Sequence, residues 1–189
     1  LGGLRLIARA GGGSMRDSQS LLDQVISFAG DSITTTQVSE ALGLVDRGFL
    51  YQMLTGLVTP NPVDCLDAIQ KVYAAGYDLT EFSSEMLEVL RNATLVVLSP
   101  DSERFVDIPE DEVQQLRTIA KQSTADVFTR AFQVMLEVHE QVSRSPRPKL
   151  ALEMAVARLV SIRPARSIDS LLEKISKMQA GIPVEKKND

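Results

Sequence analysis

Apolar residues recur at intervals of three and four along nearly the whole chain, and no stretch alternates strictly as a half-buried strand would. The pattern predicts an all-α protein. A first helix is expected over about residues 4–10, with Leu4, Ile7 and Ala8 on one side. The second starts after Ser14, a good N-cap, with Asp17 three residues on in the place of a capping-box acid. Leu21, Leu22, Val25 and Ile26 form its stripe, and Gly30 supplies the left-handed residue that ends a helix. Thr34, Thr35 and Thr36 offer caps for a short helix through Leu42. Three small helices with glycines between them predict a compact unit over residues 1–45.

A larger helical unit is expected over residues 46–180. Asp46 caps a helix that ends near Gly56. In "TPNPVD", Asn61 is the cap and Pro62 takes the first helical position, where a missing N–H is no loss. That helix reaches Ala75 and stops at Gly76. Thr80 starts another, with Phe82, Met86, Leu87, Leu90 and Leu98 on its apolar face. "LSPDSERFVDIP" is the longest loop. Pro109 opens a helix bearing Val113, Leu116 and Ile119, with Glu110, Asp111 and Glu112 in its first turn to suit the dipole. After Ser123 a long helix carries Val127, Phe128, Ala131, Phe132, Met135, Leu136 and Val138. "SRSPRPK" breaks it. "LALEMAVARLVSI" is almost wholly apolar, which predicts a central place in the bundle. Ser167 caps a last helix to about Ala180, and residues 181–189 read as a tail or linker.

Composition agrees with a helical bundle. Apolar residues are 44% of the 189, aromatics only 5% and Trp absent, so Leu, Val, Ala and Met must fill the core. The net charge of −5 divides as −1 over residues 1–45, −8 over 46–145 and +4 over 146–189. The acidic excess argues against an autonomous DNA-binding domain. The acidic middle and basic end can attract each other, within one chain or between chains. A single cysteine, Cys65, excludes an internal disulfide and fits a reducing, cytosolic setting. No stretch approaches the ~18 continuous apolar residues of a membrane span. The N-terminal "LGGLRLIARA" begins in mid-pattern, without Met or a signal-peptide layout, and is expected to belong to a longer protein.

Candidate chemistry is sparse. His139 is the only histidine. A metal site would need more nitrogen or sulfur ligands than the chain supplies, so a solvated helical histidine is expected. Asp64 and Asp67 beside Cys65 would raise a thiol pKa, which argues against a reactive thiolate. Gly11, Gly12 and Gly13 lack the lysine and the preceding strand of a phosphate loop. No catalytic residue and no metal-ligand set is predicted. Arg16 stands apart. It lies in the first turn of a helix, where the dipole disfavours a cation by up to roughly 1 kcal/mol. Such a residue is either indifferent in solvent or faces a partner that carries negative charge.

The neighbours of Arg16 favour the second. "LRLIARAGGGSMRDSQSLLDQ" resembles the lid of AAA+ clamp-loader subunits, and more closely the gamma/tau subunits of bacterial DNA polymerase III. Leu6, Ile7, Ala8, Arg9, Gly13, Ser14, Arg16, Asp17, Ser20, Leu21, Asp23 and Gln24 keep the family pattern. Ser18, Gln19, Gly11 and Gly12 depart from it. "YAAGYDLTEFSSEMLEVLRN" and "SRSPRPKLALEMAVARLV" are similar to segments of the family's all-helical third domain, the collar. The resemblance implies a partial AAA+ lid over 1–45 and a collar, or oligomerisation domain, over 46–180. It makes Arg16 the sensor 2 arginine that reaches ATP phosphates, with Ser14 and Asp17 at the helix N-terminus near the nucleotide. It places Arg144, Arg147, Lys149, Glu153 and Arg158 at or near subunit contacts.

The family's phosphate loop and Walker B acids belong to an upstream domain that these residues do not include. The resemblance therefore implies no cofactor or turnover for this segment, and ATP with Mg for the parent. Implied partners are gamma/tau, delta and delta prime subunits in a pentameric ring, with the sliding clamp and primed DNA reached through the complex. The implied setting is the replisome in the bacterial cytoplasm, with no membrane. Residues alone leave gamma and tau forms undistinguished. They also leave open a helical adaptor unrelated to ATP.

Overall fold

The computed structural model describes residues 2–29, 33–34, 37–38, 41–106 and 108–164. Among them there is no strand. The α-helices are α1 (Gly2–Ala10), α2 (Met15–Ala29), α3 (Arg47–Val58), α4 (Pro62–Ala74), α5 (Leu79–Leu98), α6 (Glu110–Ala120), α7 (Ala125–Arg144) and α8 (Pro148–Val160), with a 3₁₀ helix at Pro100–Phe105.

Local chemistry sets the helix starts. Asp46 accepts the Gly48 N–H at 2.8 Å, Asn61 accepts the Val63 N–H at 3.1 Å, and Pro62 follows at the first helical position. Each cap satisfies a donor that has no carbonyl within its own helix, an effect of about 1 kcal/mol. Helix α5 begins at Leu79, one residue before Thr80, and Asp78 caps it by accepting the Thr80 N–H at 2.6 Å. Gly76 ends the turn after α4 with φ +78°, a conformation that a side chain would strain.

Buried apolar side chains fall into two clusters. Ile7, Val25 and Val38 form the smaller one, with Leu6, Leu21, Leu22, Ala41 and Leu42 packed around them. The larger begins at Val45 and continues through α3 to α8. Helices α5 and α7 make its longest packed pair, α4 and α8 close against each other, and α6 lies across α3 and α5. Phe82, Met86, Leu90, Phe128 and Met135 are fully enclosed there, each favouring the fold by about 1.5–3 kcal/mol.

Several stripes are narrower than periodicity predicts. Leu4 is 61% exposed and Ala8 is also exposed, while Leu6 and Ile7 point inward. Ile26, Leu98 and Leu136 lie at stripe edges and are exposed. Helix α8 is not enclosed all round: Leu152, Ala155, Val156 and Leu159 are buried, but Leu150 and Met154 face outward. The loop after α5 contains the 3₁₀ turn. Gly30, part of the Thr34–Leu42 helix, the helix after Ser167 and the tail at 181–189 lie outside the described residues.

Candidate functional site

The turn between α1 and α2 is built by glycine. Gly12 and Gly13 take φ +56° and +80°. Gly11 is enclosed, and a Cβ there would stand 2.2 Å from Ser18 Oγ, so the chain can fold back onto α2 only without a side chain. Ser14 Oγ accepts the Asp17 N–H at 3.3 Å, as a cap should. The reciprocal half of the predicted capping box is absent. The Ser14 N–H donates to the Gly11 carbonyl at 2.9 Å instead, and the Asp17 side chain is exposed. The amides of Met15 and Arg16 lie in the turn where no intrahelical carbonyl is available. The Arg16 side chain is exposed and makes no hydrogen bond or ion pair with the described residues. A guanidinium beside unfilled amide donors can bind an oxyanion in two-pronged fashion.

The collar candidates divide. Arg144 and Arg147 are exposed. Lys149 is engaged: Nζ donates to Gln70 Oε1 at 2.5 Å, lies 3.6 Å from Glu153 and stands 4.7 Å from the centre of the Tyr73 ring. Arg158 pairs with Glu137 at 2.6 Å. Lys149 and Arg158 therefore tie α8 to α4 and α7. Beside that seam, Val63, Leu66 and Tyr73 of α4 and Leu150 and Met154 of α8 are exposed apolar side chains.

His139 is not a solvated residue. It is half-buried, and its Nδ1 lies 2.7 Å from the Oγ of fully buried Ser83. The Ser83 Oγ is also 2.7 Å from the Thr80 carbonyl oxygen. Which of the two donates depends on the imidazole tautomer, and in either case the pair acts as a tie between α5 and α7. Cys65 is buried, with Sγ 3.6 Å from the Met53 carbonyl, and burial foremost, then the Asp64 charge, pushes its pKa up to about 12. It is an inert thiol, as the acids beside it predict, though burial is the larger cause.

Sequence reasoning missed one polar cluster. Arg47, at the start of α3, pairs with Glu112 of α6 at 3.2 Å, and Tyr51 donates to the same carboxylate at 3.2 Å. Glu112 therefore does more than suit its helix dipole. Burial, and then the Glu112 charge, push the Tyr51 pKa up to about 12. Glu85 of α5 is 7% exposed, and its Oε2 has no partner among the described residues. Burial, partly offset by Arg47 and reinforced by Glu81 and Glu88, raises its carboxyl to about 7. The signal was legible: Glu85 lies in the Phe82, Met86, Val89 stripe. Among the described residues, no group of three or more His, Cys, Asp and Glu side chains is placed to hold a metal ion, and no helix is long and apolar enough to cross a membrane.

A small helical unit that presents an arginine, followed by a larger bundle, matches two consecutive parts of clamp-loader proteins. Residues 2–31 match the family described as DNA polymerase III clamp loader subunit, ATPase lid domain, and residues 33–174 match DNA polymerase III subunits gamma and tau domain III. The chain belongs to the gamma and tau subunit family of DNA polymerase III. It is 29% identical over 177 residues to DNA polymerase III subunit gamma/tau of Mycobacterium tuberculosis (strain ATCC 25618 / H37Rv), covering 92% of this chain and 31% of that protein. To DNA polymerase III subunit tau of Bacillus subtilis (strain 168) it is 26% identical over 184 residues, covering 94% and 32%. To that of Escherichia coli (strain K12) it is 27% identical over 161 residues, covering 85% and 25%. The chain thus spans about a third or less of the length of these relatives.

Proposed function

We propose that this chain is the lid and collar portion of an ATP-driven subunit that helps place a ring-shaped sliding clamp on primed DNA. Residues 1–45 form the lid and 46–180 the collar, and the two move as separate bodies. Arg16 contacts the phosphates of ATP, bound with Mg in an upstream ATPase domain, while Ser14 caps the turn that presents it and Asp17 lies at the same helix N-terminus near the nucleotide. The collar joins the subunit to gamma/tau, delta and delta prime partners in a pentameric ring, within the replisome of the bacterial cytoplasm. Arg144, Arg147, Lys149, Glu153 and Arg158 lie at or near the contacts, and the exposed apolar side chains of α4 and α8 supply most of the adhesion. The isolated segment does not hydrolyse ATP, because nucleotide and metal are positioned by other residues.

The observation that carries this reading is the solvent-facing Arg16 in the glycine-built first turn of α2, within a segment that matches clamp-loader lids. The decisive experiment is Arg16→Ala in the full-length protein. Loss of a charge-assisted phosphate contact lowers ATP affinity by about 2 kcal/mol, roughly 30-fold, and slows clamp loading with the lid still folded. Unchanged affinity and loading in a folded variant would make Arg16 an ordinary solvated residue and sink the nucleotide reading.

A further inference from the structure

Helices α5 and α6 pack against each other, and a cavity of about 370 Å³ opens between their last turns. Val96 and Val97 of α5, Arg117 of α6, and Lys121 and Ser123 of the turn that follows line it. The floor is apolar: both valines are partly buried and pack against the large core. The rim carries two cations and a hydroxyl, and among the described residues no acidic side chain lines the cavity. The turn is closed by its own backbone. The amides of Lys121, Gln122 and Ser123 donate to the carbonyls of Arg117, Ile119 and Ala120 at 3.0, 3.1 and 3.1 Å, and Ala120 is fully buried. Lys121 Nζ and Ser123 Oγ make no hydrogen bond or ion pair with the described residues. Arg117 and Lys121 are four residues apart, so they share one face of the helix end, where like charges repel. The dipole of α6 favours cations at this end. It does not explain why both open onto one cavity with an apolar floor.

We propose that this cavity binds a short acidic segment of a partner protein, in which a glutamate or aspartate stands beside an aliphatic side chain. The carboxylate meets Lys121, Arg117 and the Ser123 hydroxyl in charge-assisted contacts, and the aliphatic group covers Val96 and Val97. A volume of about 370 Å³ lies at the lower end of small-ligand sites and takes a side chain or two. A bare phosphate ion would leave the valines uncovered. A nucleic-acid strand is disfavoured on two counts. Among the described residues no aromatic side chain lines the cavity to stack on a base. Residues 46–145 carry a net charge of −8, which repels a polyanion and tolerates a single carboxylate. The cavity shares no residue with the seam of α4, α7 and α8, and the proposal does not rest on the clamp-loader reading.

Two-dimensional ¹H–¹⁵N spectra of the whole 189-residue chain, titrated with synthetic probes, test it. The probes are the capped peptide Gly-Ser-Leu-Glu-Leu-Glu-Ser-Gly, its glutamine counterpart, oligothymidylate and inorganic phosphate. The acidic peptide should shift the amides of Val96, Val97, Lys121 and Ser123 with a dissociation constant below about 1 mM. The glutamine peptide should bind about tenfold more weakly, as for the loss of a charged hydrogen bond. Lys121→Glu should weaken the acidic peptide by about the same factor, and Lys121→Arg should retain it. Lys121 is exposed, so the spectra of both variants away from the cavity should match the wild type. Absence of shifts at these amides would overturn the proposal. So would equal binding of the two peptides, or binding that Lys121→Glu leaves unchanged. Oligothymidylate that shifts the same amides more strongly than the peptide would make this a nucleic-acid site and refute the peptide assignment. Phosphate that binds as tightly as the peptide would reduce the cavity to an anion site and refute it as well.

Discussion

Glu85→Gln should stabilise the collar in alkaline solution and much less in acid. The wild-type carboxyl is moved from 4.5 to about 7, chiefly by burial. The folded protein therefore holds this proton more tightly than the unfolded chain does. The stability linked to the protonated form is complete below about pH 4.5, declines as pH rises, and is gone above about pH 7. That interval corresponds to about 3 kcal/mol at most, and about 2 kcal/mol of it falls between pH 5 and pH 8 after structural relaxation. The charges that act on Glu85 are Arg47 of α3 and Glu81 and Glu88 of its own helix. Glutamine has no charge to desolvate, and its amide imposes only a pH-independent offset. Urea unfolding followed by far-UV circular dichroism at several pH values measures the difference between the two proteins. The chain has two cores, so the transition compared is the larger one, which reports the collar. The advantage of the Gln variant should grow by about 2 kcal/mol from pH 5 to pH 8 with an unchanged denaturant slope. A difference that stays flat or shrinks with pH would refute the claim that burial governs this carboxyl.

Gly56→Ala places a Cβ 2.7 Å from Cys65 Sγ and 3.0 Å from the Asn61 carbonyl. Overpacking should outweigh better helix propensity and cost about 1–3 kcal/mol in urea midpoints, with Cys65→Ala recovering part of the loss in a double-mutant cycle. Reversing Arg144 and Arg147 to Glu should slow assembly with partner subunits and flatten its salt dependence, since both are exposed, while the final complex weakens by only about 1 kcal/mol. Sedimentation at several salt concentrations measures this, and an unaltered rate and salt slope would make these charges surface decoration. A clean preparation of the segment alone should show no ATP turnover above background. Turnover that Arg16→Ala abolishes would contradict the proposed division of labour.

Caps and breaks were the most legible features, because they depend on residues adjacent in sequence. Asp46, Asn61 and Pro62 act where they were expected. At Asp78 and Thr80 two capping residue types stand close together, and the helix begins between them, at Leu79. Periodicity locates the centre of an apolar stripe but not its edges, so Ile26, Leu98 and Leu136 were assigned inward and lie outward. An almost continuous apolar run carries no orientation at all, which is why the outward face of α8 was unreadable. Arg16 stood out as a charge with the wrong sign for its place. Ser83 and His139, 56 residues apart, could be paired only by the fold. Glu85 was legible as an acid within an apolar stripe, but the charge that faces it from another helix, Arg47 of α3, is supplied only by the fold.

The Ser83–His139 contact limits how the collar can deform. One hydrogen bond of 2.7 Å joins the two longest helices near the start of α5 and the second half of α7. Sliding α7 by one helical turn displaces the imidazole by about 5.4 Å and breaks the contact, while the Ser83 hydroxyl keeps the Thr80 carbonyl. The helices are therefore keyed, as a shaft is keyed to a wheel. Among the two usual routes for domain motion, shear of this pair by a turn breaks the tie, whereas rotation of the two helices together keeps it.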